Sequence, residues 1–381
     1  MELERFLAAK PLYYDTIDLE RMPEAYESVR PHLKNGRIVH LIGTNGKGST
    51  GRMLAELLRG EGLRVGHYTS PHILRFNERI WIDGEDVANE ALEEAHGRLL
   101  RWLPPRMAEA LSYFEYTTLL ALVAFEGLDA VVFEAGLGGE FDATSVVERE
   151  LSVVTPIGFD HQAFLGETIE EIATTKLRAI AKRAVVAPQP YGRSLEVARE
   201  IAAERGSELI EAETVVDAVR KRRIEAIGRK RGWPPFLREN GLTAFAAASV
   251  MLQRDPDVSV LGRVRLRGRF ERVLPNVVVD VGHNPLAARA VVEALDSRRP
   301  ILVYNALEDK DVEEVLAILA PHVCKLELIP IENERAMALE TVVSTAKRYG
   351  LETSMFEGVR DDKEYLVFGS FFVAEAFFKS I

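Results

Sequence analysis

The sequence predicts an α/β fold with a mostly parallel sheet, followed by a smaller second domain of the same alternating kind. Three observations predict it. Short apolar runs of strand type alternate with segments of helical period along most of the chain. The run Ile38-Val39-His40-Leu41-Ile42 passes into Gly43-Thr44-Asn45-Gly46-Lys47-Gly48-Ser49-Thr50 and then into a helical stretch from Gly51, the strand, glycine loop and helix of a phosphate cradle. Two later strand-like runs, 130–134 and 276–280, end in the carboxylates Glu134 and Asp280, which a parallel sheet delivers to its ligand-binding edge.

Composition bounds the rest. The chain has 381 residues, 47% hydrophobic and 28% charged, enough for about two or three cores. A formal charge of −11 argues against non-specific nucleic-acid binding. Cys324 is the one cysteine, so an intrachain disulfide and a thiolate metal cluster are excluded. The start, Met1-Glu2-Leu3-Glu4-Arg5-Phe6, carries acids where a signal peptide has bases, and no run approaches the ~20 apolar residues of a membrane span. A cytoplasmic, monomeric protein without membrane or nucleic-acid partners is expected.

Taken in order, residues 1–37 read as helices broken at Pro11, Pro23 and Pro31. In the glycine loop, backbone N–H groups and the helix N-terminus would face a polyphosphate, with Lys47 reaching its outer phosphates. Two residues separate Gly43 from Gly46, where the common loop has about four, so an ordinary strand-to-helix turn is the alternative. A strand at 64–68 ends at Thr69-Ser70-Pro71-His72, and 76–84 reads as a hairpin or irregular loop. Helices follow at 88–101 and, amphipathic, from Tyr113 through Phe125. Glu134 is either a metal ligand or a carboxylate capped by amides of Gly136-Leu137-Gly138-Gly139. The strand 151–157 leads to Asp160-His161; a lone histidine there is a ligand or a packed core residue. A helix over 168–176 carries Lys176, and a strand at 184–187 and a helix over 194–203 continue the alternation.

The base-rich stretch 217–231 reads as a solvated helix face, and Asn240 as the opening of a small-residue helix. Arg263, Arg265, Arg267 and Arg269 recur at period two, which puts the guanidinium groups on one side of an extended segment. Beyond them, Val281-Gly282-His283-Asn284-Pro285 leads a helix to Leu295; strands at 301–305, 323–330 and 365–369 then alternate with helices at 311–320, 339–348 and 371–379, as in a Rossmann-like domain. The expected division is a first domain over 1–262, a linker at 263–268 and a C-terminal domain over 269–381.

Several separate stretches together resemble one family, the folylpolyglutamate synthases and bifunctional dihydrofolate synthases of the Mur ligase superfamily. They are the glycine loop; Thr69-Ser70-Pro71-His72 with Phe76-Asn77-Glu78-Arg79-Ile80; Phe133-Glu134-Ala135-Gly136-Leu137-Gly138-Gly139 with Asp142-Ala143-Thr144; and Asp160-His161, Leu165-Gly166, Thr168 and Lys176. They continue with Gly268-Arg269-Phe270-Glu271, Asp280 with His283-Asn284-Pro285, Asp309-Lys310 and Gly369-Ser370. The Ser-Pro-His and Phe-Asn-Glu-Arg-Ile stretches are specific to the folate branch.

The resemblance implies a Mur-ligase-like P-loop ATP-binding domain and a Rossmann-like, glutamate-binding C-terminal domain. It implies ATP held by Thr44, Asn45, Gly46, Lys47, Gly48 and Ser49, with Asn240, Arg269 and Asp280 on the same nucleotide. Magnesium, at two sites, is implied on Ser70, Glu134, His161 and a carbamylated Lys176, and potassium is compatible with it. Ser112, Tyr113, Phe114 and Glu115, with Phe141, Asp142 and Ala143, match positions that contact dihydropteroate, and His283 lies near the L-glutamate substrate. The implied reaction is ATP-dependent addition of glutamate to dihydropteroate and to reduced folates through an acyl phosphate, with Lys47, Glu134, His161, Lys176 and His283 as its catalytic set. A monofunctional folylpolyglutamate synthase, a cell-wall Mur-type ligase and a non-catalytic binding switch are the alternatives. Departures from the family pattern are Glu140, Ser145, Leu177-Arg178-Ala179 and Arg238-Glu239.

Overall fold

The computed structural model describes residues 2–12, 18–295 and 299–381. Its contacts divide the chain into two units, Met1–Ile157 with Ile169–Ile224 and Asn240–Val264, and Gly158–Thr168 with Glu225–Glu239 and Arg265–Ile381.

The first unit is built on strands β1 (Arg37–Ile42), β2 (Val65–Tyr68), β3 (Ile80–Ile82), β4 (Glu85–Asp86), β5 (Ala130–Glu134), β6 (Leu151–Val154), β7 (Arg183–Val186) and β8 (Glu208–Glu211). Their order is β4-β3-β2-β5-β1-β6-β7-β8. All neighbours are parallel except at the β2-β3-β4 edge. Val39, Leu41 and Ile42 of the central β1 are fully buried, because a parallel sheet with both faces covered selects a continuous apolar run. The register pairs Leu41 with Glu134 and Tyr68 with Phe133, so the glycine loop, Glu134 and Thr69-Ser70 leave the sheet at one edge.

Helix Lys47–Gly60 continues from the loop and buries Met53, Leu54, Leu57 and Leu58. Helix Tyr113–Ala124 differs from the amphipathic expectation: every residue from Tyr116 to Val123 is buried, as for a helix enclosed on all sides. Asn240 lies inside helix Pro235–Leu252 rather than opening one. The strand β8, polar and short, has no counterpart among the expected elements.

The second unit has strands β9 (Glu271–Leu274), β10 (Val277–Val279), β11 (Ile301–Tyr304), β12 (Lys325–Leu328), β13 (Thr353–Met355) and β14 (Tyr365–Phe368), in the order β13-β12-β11-β14-β10-β9. Only β9 is antiparallel to its neighbour. Its core gathers Val278, Leu302, Leu316, Leu326, Leu366 and Phe368. The period-two arginines are not an extended face. The chain turns at 267–270, with positive φ at Gly268 and Phe270, and Arg267 and Arg269 lie over the Phe378 and Phe371 rings.

Removing buried volume from β1 should be costly. Leu41→Ala should lower the stability of the first unit by about 3 kcal/mol in urea titrations, whereas Arg222→Ala on the exposed face of helix Ala218–Lys230 should stay within about 0.5 kcal/mol of the parent.

Candidate active site

The glycine loop is shaped by close approach. Gly43 has φ +143°, and a Cβ there would lie 2.1 Å from the Thr155 hydroxyl oxygen. At Gly46, with φ +84°, it would lie 2.9 Å from Asn240 Oδ1. The N–H groups of Thr44 and Asn45 donate to the Pro156 carbonyl at 2.9 and 3.1 Å, tying the loop to the chain leaving β6. Gly46 precedes the helix without a side-chain cap, so the first-turn N–H groups are open to an anion. Lys47 Nζ donates to the carbonyls of Gly43 and Thr44, both at 3.1 Å, and Lys176 Nζ donates to the same Gly43 carbonyl at 3.2 Å. Ser49 Oγ donates to Gly46 O and accepts from Asn240 Nδ2 at 2.8 Å, which joins Asn240 to the loop. Among the described residues, the buried Thr50 hydroxyl has no hydrogen-bond partner.

Glu134, at the end of β5, is 4% exposed and accepts the Thr69 hydroxyl. The loop that follows is held from both sides. Asp142 accepts the N–H groups of Leu137 and Thr144 at 2.8 and 2.9 Å, and the Thr144 hydroxyl at 2.5 Å. His40 Nε2 lies 2.7 Å from that hydroxyl oxygen. Because the hydroxyl hydrogen goes to Asp142, the His40 ring is the donor, a chain running from β1 through Thr144 to Asp142. Burial, reinforced by the Arg149 charge, pushes His40 down to about 3, and burial raises Asp142.

On its other side the loop sits on the helix Ile169–Leu177. A Cβ on Gly139 would lie 2.4 Å from the Lys176 carbonyl oxygen, and the Glu140 N–H donates to Thr175 O at 3.2 Å. Ser145 Oγ donates to Gly139 O at 2.5 Å, and Glu140 pairs with Arg178 at 3.5 Å. Two departures from the family pattern, Glu140 and Arg178, are therefore partners, and a third, Ser145, bonds the residue that precedes Glu140.

The positions expected to meet an acceptor divide into two kinds. Ser112 and Glu115 form a capping box at the start of helix Tyr113–Ala124, and Glu115 also receives the Arg21 guanidinium at 3.0 Å. Asp142 holds its own loop and Ala143 is buried. Tyr113, Phe114 and Phe141 offer apolar surface: Phe114 covers Gly136 and stacks on Tyr68, Tyr113 meets the Phe76 edge, and Phe141 is 64% exposed. Sequence reasoning named the stretch around His72 and Arg79 without giving either residue a role. Arg79 Nε donates to His72 Nδ1 at 2.8 Å, the Arg79 guanidinium lies over the Tyr113 ring, and Glu78 accepts the N–H groups of Ile73, Leu74 and Arg75. Burial and the Arg79 cation push His72 down to about 4.

In the second unit, Asp160 accepts Lys310 Nζ at 2.7 Å and Asn284 Nδ2 at 3.0 Å, and His283 Nε2 lies 3.3 Å away. Burial alone would raise the Asp160 carboxyl, but His283, His161 and Lys310 hold it well below the usual carboxylate range. Burial pushes His161 down to about 4. His161, expected among the metal ligands, belongs to this cluster, with Asp309 at 4.0 Å. Asp280 accepts the N–H groups of Phe270 and Gly282, both at 2.8 Å, and burial raises it. Among the described residues, no three His, Cys, Asp or Glu side chains form a metal-binding group.

Comparison with known proteins decides the family. The model "Mur ligase, glutamate ligase domain" matches residues 268–367. The dihydrofolate synthase/folylpolyglutamate synthase of Haemophilus influenzae is 31% identical, over 89% of this chain and 88% of the relative. The chain belongs to the dihydrofolate synthase/folylpolyglutamate synthase family. Among solved structures of the family, Helicobacter pylori folylpolyglutamate synthetase has 36% identity and a TM-score of 0.79, covering 99% of this chain and 97% of that one. The bifunctional folylpolyglutamate synthase/dihydrofolate synthase of Yersinia pestis, complexed with AMPPNP and Mn ion, has 27% identity and a TM-score of 0.83, covering 98% and 97%. The family's Mur-ligase-like fold accounts for both sheets.

Gly43→Ala should abolish ADP binding in calorimetry while a folded circular-dichroism spectrum persists, because a methyl group overlaps Thr155. Stability should also fall as pH drops from about 6.5 towards 4. Unfolded imidazoles take up protons below about 6.5, whereas His40, His72 and His161 stay neutral in the fold to about 3, 4 and 4, so acid favours the unfolded chain. The thermal midpoint of His40→Gln should depend less steeply on pH over that window.

Proposed function

We propose that this chain is an ATP-dependent ligase that joins L-glutamate to dihydropteroate and to reduced folates through an acyl phosphate. The observation that carries the reading is the first unit's sheet edge, where an uncapped helix start, the paired amines of Lys47 and Lys176 and the carboxylate of Glu134 meet. A carboxylate does not condense with an amine in water, because its oxygen is a poor leaving group, and phosphorylation supplies a better one. Lys47 and the loop amides orient the triphosphate for in-line attack by the acceptor carboxylate. Tyr113, Phe114 and Phe141 hold the flat acceptor.

The residues also fit a magnesium ion: Ser70 and Glu134 offer the hard oxygen donors it prefers, and the buried Thr50 hydroxyl in the first turns of the helix has no partner among the described residues. Bound there, the ion would neutralise charge on the triphosphate. Lys176 suits that neighbourhood as a carbamate. Its amine shares the Gly43 carbonyl with Lys47, and carbon dioxide converts the second cation into an anionic oxygen donor. A second magnesium and potassium rest on the resemblance alone.

In the second unit, Lys310 is held by Asp160 at 2.7 Å and by Asp309 at 3.5 Å. His283 faces the Val281 carbonyl through Nδ1 at 3.2 Å and Asp160 through Nε2 at 3.3 Å, and stays the candidate for the group nearest the glutamate amine. The glutamate amine attacks the acyl phosphate and phosphate leaves. One observation favours a narrower reading: the Helicobacter pylori structure is named for the folylpolyglutamate activity alone.

ADP release with magnesium, ATP and L-glutamate separates the readings. Release with both dihydropteroate and tetrahydrofolate, reduced about a hundredfold or more by Glu134→Gln, is expected. Release with tetrahydrofolate alone would assign the monofunctional enzyme, and silence with both would refute the proposal. Protein equilibrated with ¹³C-bicarbonate should show a carbamate resonance that Lys176→Arg lacks.

A further inference from the structure

We propose that His72 is a hydrogen-bond donor to a carboxylate oxygen at the glutamate-receiving end of the acceptor, with Arg79 as the positioning residue that fixes its tautomer. This rests on the functional reading above.

The geometry gives His72 one available form. A guanidinium has donors and no acceptor. With Arg79 Nε donating to Nδ1 at 2.8 Å, Nδ1 carries no hydrogen, and the ring's proton sits on Nε2. Among the described residues, none hydrogen-bonds that nitrogen, and the residue is only part-buried, which leaves the Nε2–H donor available. A cation bonded to the far side of the ring withdraws electron density and strengthens Nε2–H as a donor to an anion.

Arg79 is itself held in place. It is 8% exposed, lies 5.2 Å over the Tyr113 ring, and sits in a turn that Glu78 closes by accepting three successive backbone N–H groups. On one side of His72 in the chain is Thr69-Ser70, bonded through Thr69 to Glu134. On the other is Phe76, whose ring packs edge-on against both His72 and Tyr113. A donor at the junction of the phosphate edge and the aromatic surface is where a flat acceptor presents its reacting carboxylate. The γ-phosphate of ATP is the other oxyanion source, and the two differ in which Michaelis constant responds.

The test is steady-state kinetics on His72→Phe, His72→Gln and Arg79→Met, with ¹⁵N NMR of the His72 ring. The spectrum should show Nε2–H in the parent and a tautomer mixture in Arg79→Met. His72→Phe should raise the acceptor KM about tenfold or more with the ATP KM unchanged, and His72→Gln, which keeps an N–H donor, should recover most of that loss. An unchanged acceptor KM in a folded His72→Phe, a rise in the ATP KM instead, or an Nδ1–H parent ring would overturn the assignment. A parent enzyme inactive on both acceptors would instead refute the functional reading, and the NMR result would still decide the tautomer.

Discussion

One backbone carbonyl, that of Gly43, accepts the amines of both Lys47 and Lys176. Its position follows from crowding. β1 is the central strand, flanked by β5 and β6, and its last turn outward presses so closely on Thr155 that no side chain fits at 43. The loop is thereby held against β6, its carbonyl faces the two lysines, and the helix behind it starts without a cap. Two ammonium groups on one oxygen are a natural seat for a polyphosphate. They are also a reason for one of them to be chemically neutralised.

The second constraint is the loop leaving β5, whose backbone is held by residues that a sequence reader assigns to substrate. Asp142 is bound to Leu137 and Thr144, and through Thr144 to His40 on β1. Gly139 rests on the backbone of Lys176. Strand β1, the loop and the helix carrying Lys176 are thus one mechanical assembly. The pairing of Glu140 with Arg178 adds a surface contact across the same seam, worth little in energy at its exposure but well placed to keep the register.

Much of the fold was legible because its signals are local. The apolar run at 38–42, the glycines after it, and the strand-end carboxylate of Glu134 need no distant partner to be recognised. What sequence could not show depends on long-range contacts. Asp142 reads as a ligand residue until His40, far away in the chain, is seen to complete its hydrogen-bond chain. Ser112 and Glu115 carry a capping box that was readable from spacing, yet Arg21 completes it only in the fold. The arginines at 263–269 do not lie on one extended strand, because the chain turns at Gly268 and Phe270, yet Arg267 and Arg269 both lie over rings of helix Phe371–Ser380. His72 had a motif but no role until Arg79 was found on its Nδ1.

The central claim is that this edge activates a carboxylate by phosphorylation, and oxygen transfer tests it most directly. With an acceptor whose carboxylate is labelled with ¹⁸O, in-line attack on the γ-phosphate followed by expulsion of phosphate leaves one labelled oxygen in inorganic phosphate for each amide formed. Label recovered in AMP, or phosphate free of label alongside amide product, would contradict the account.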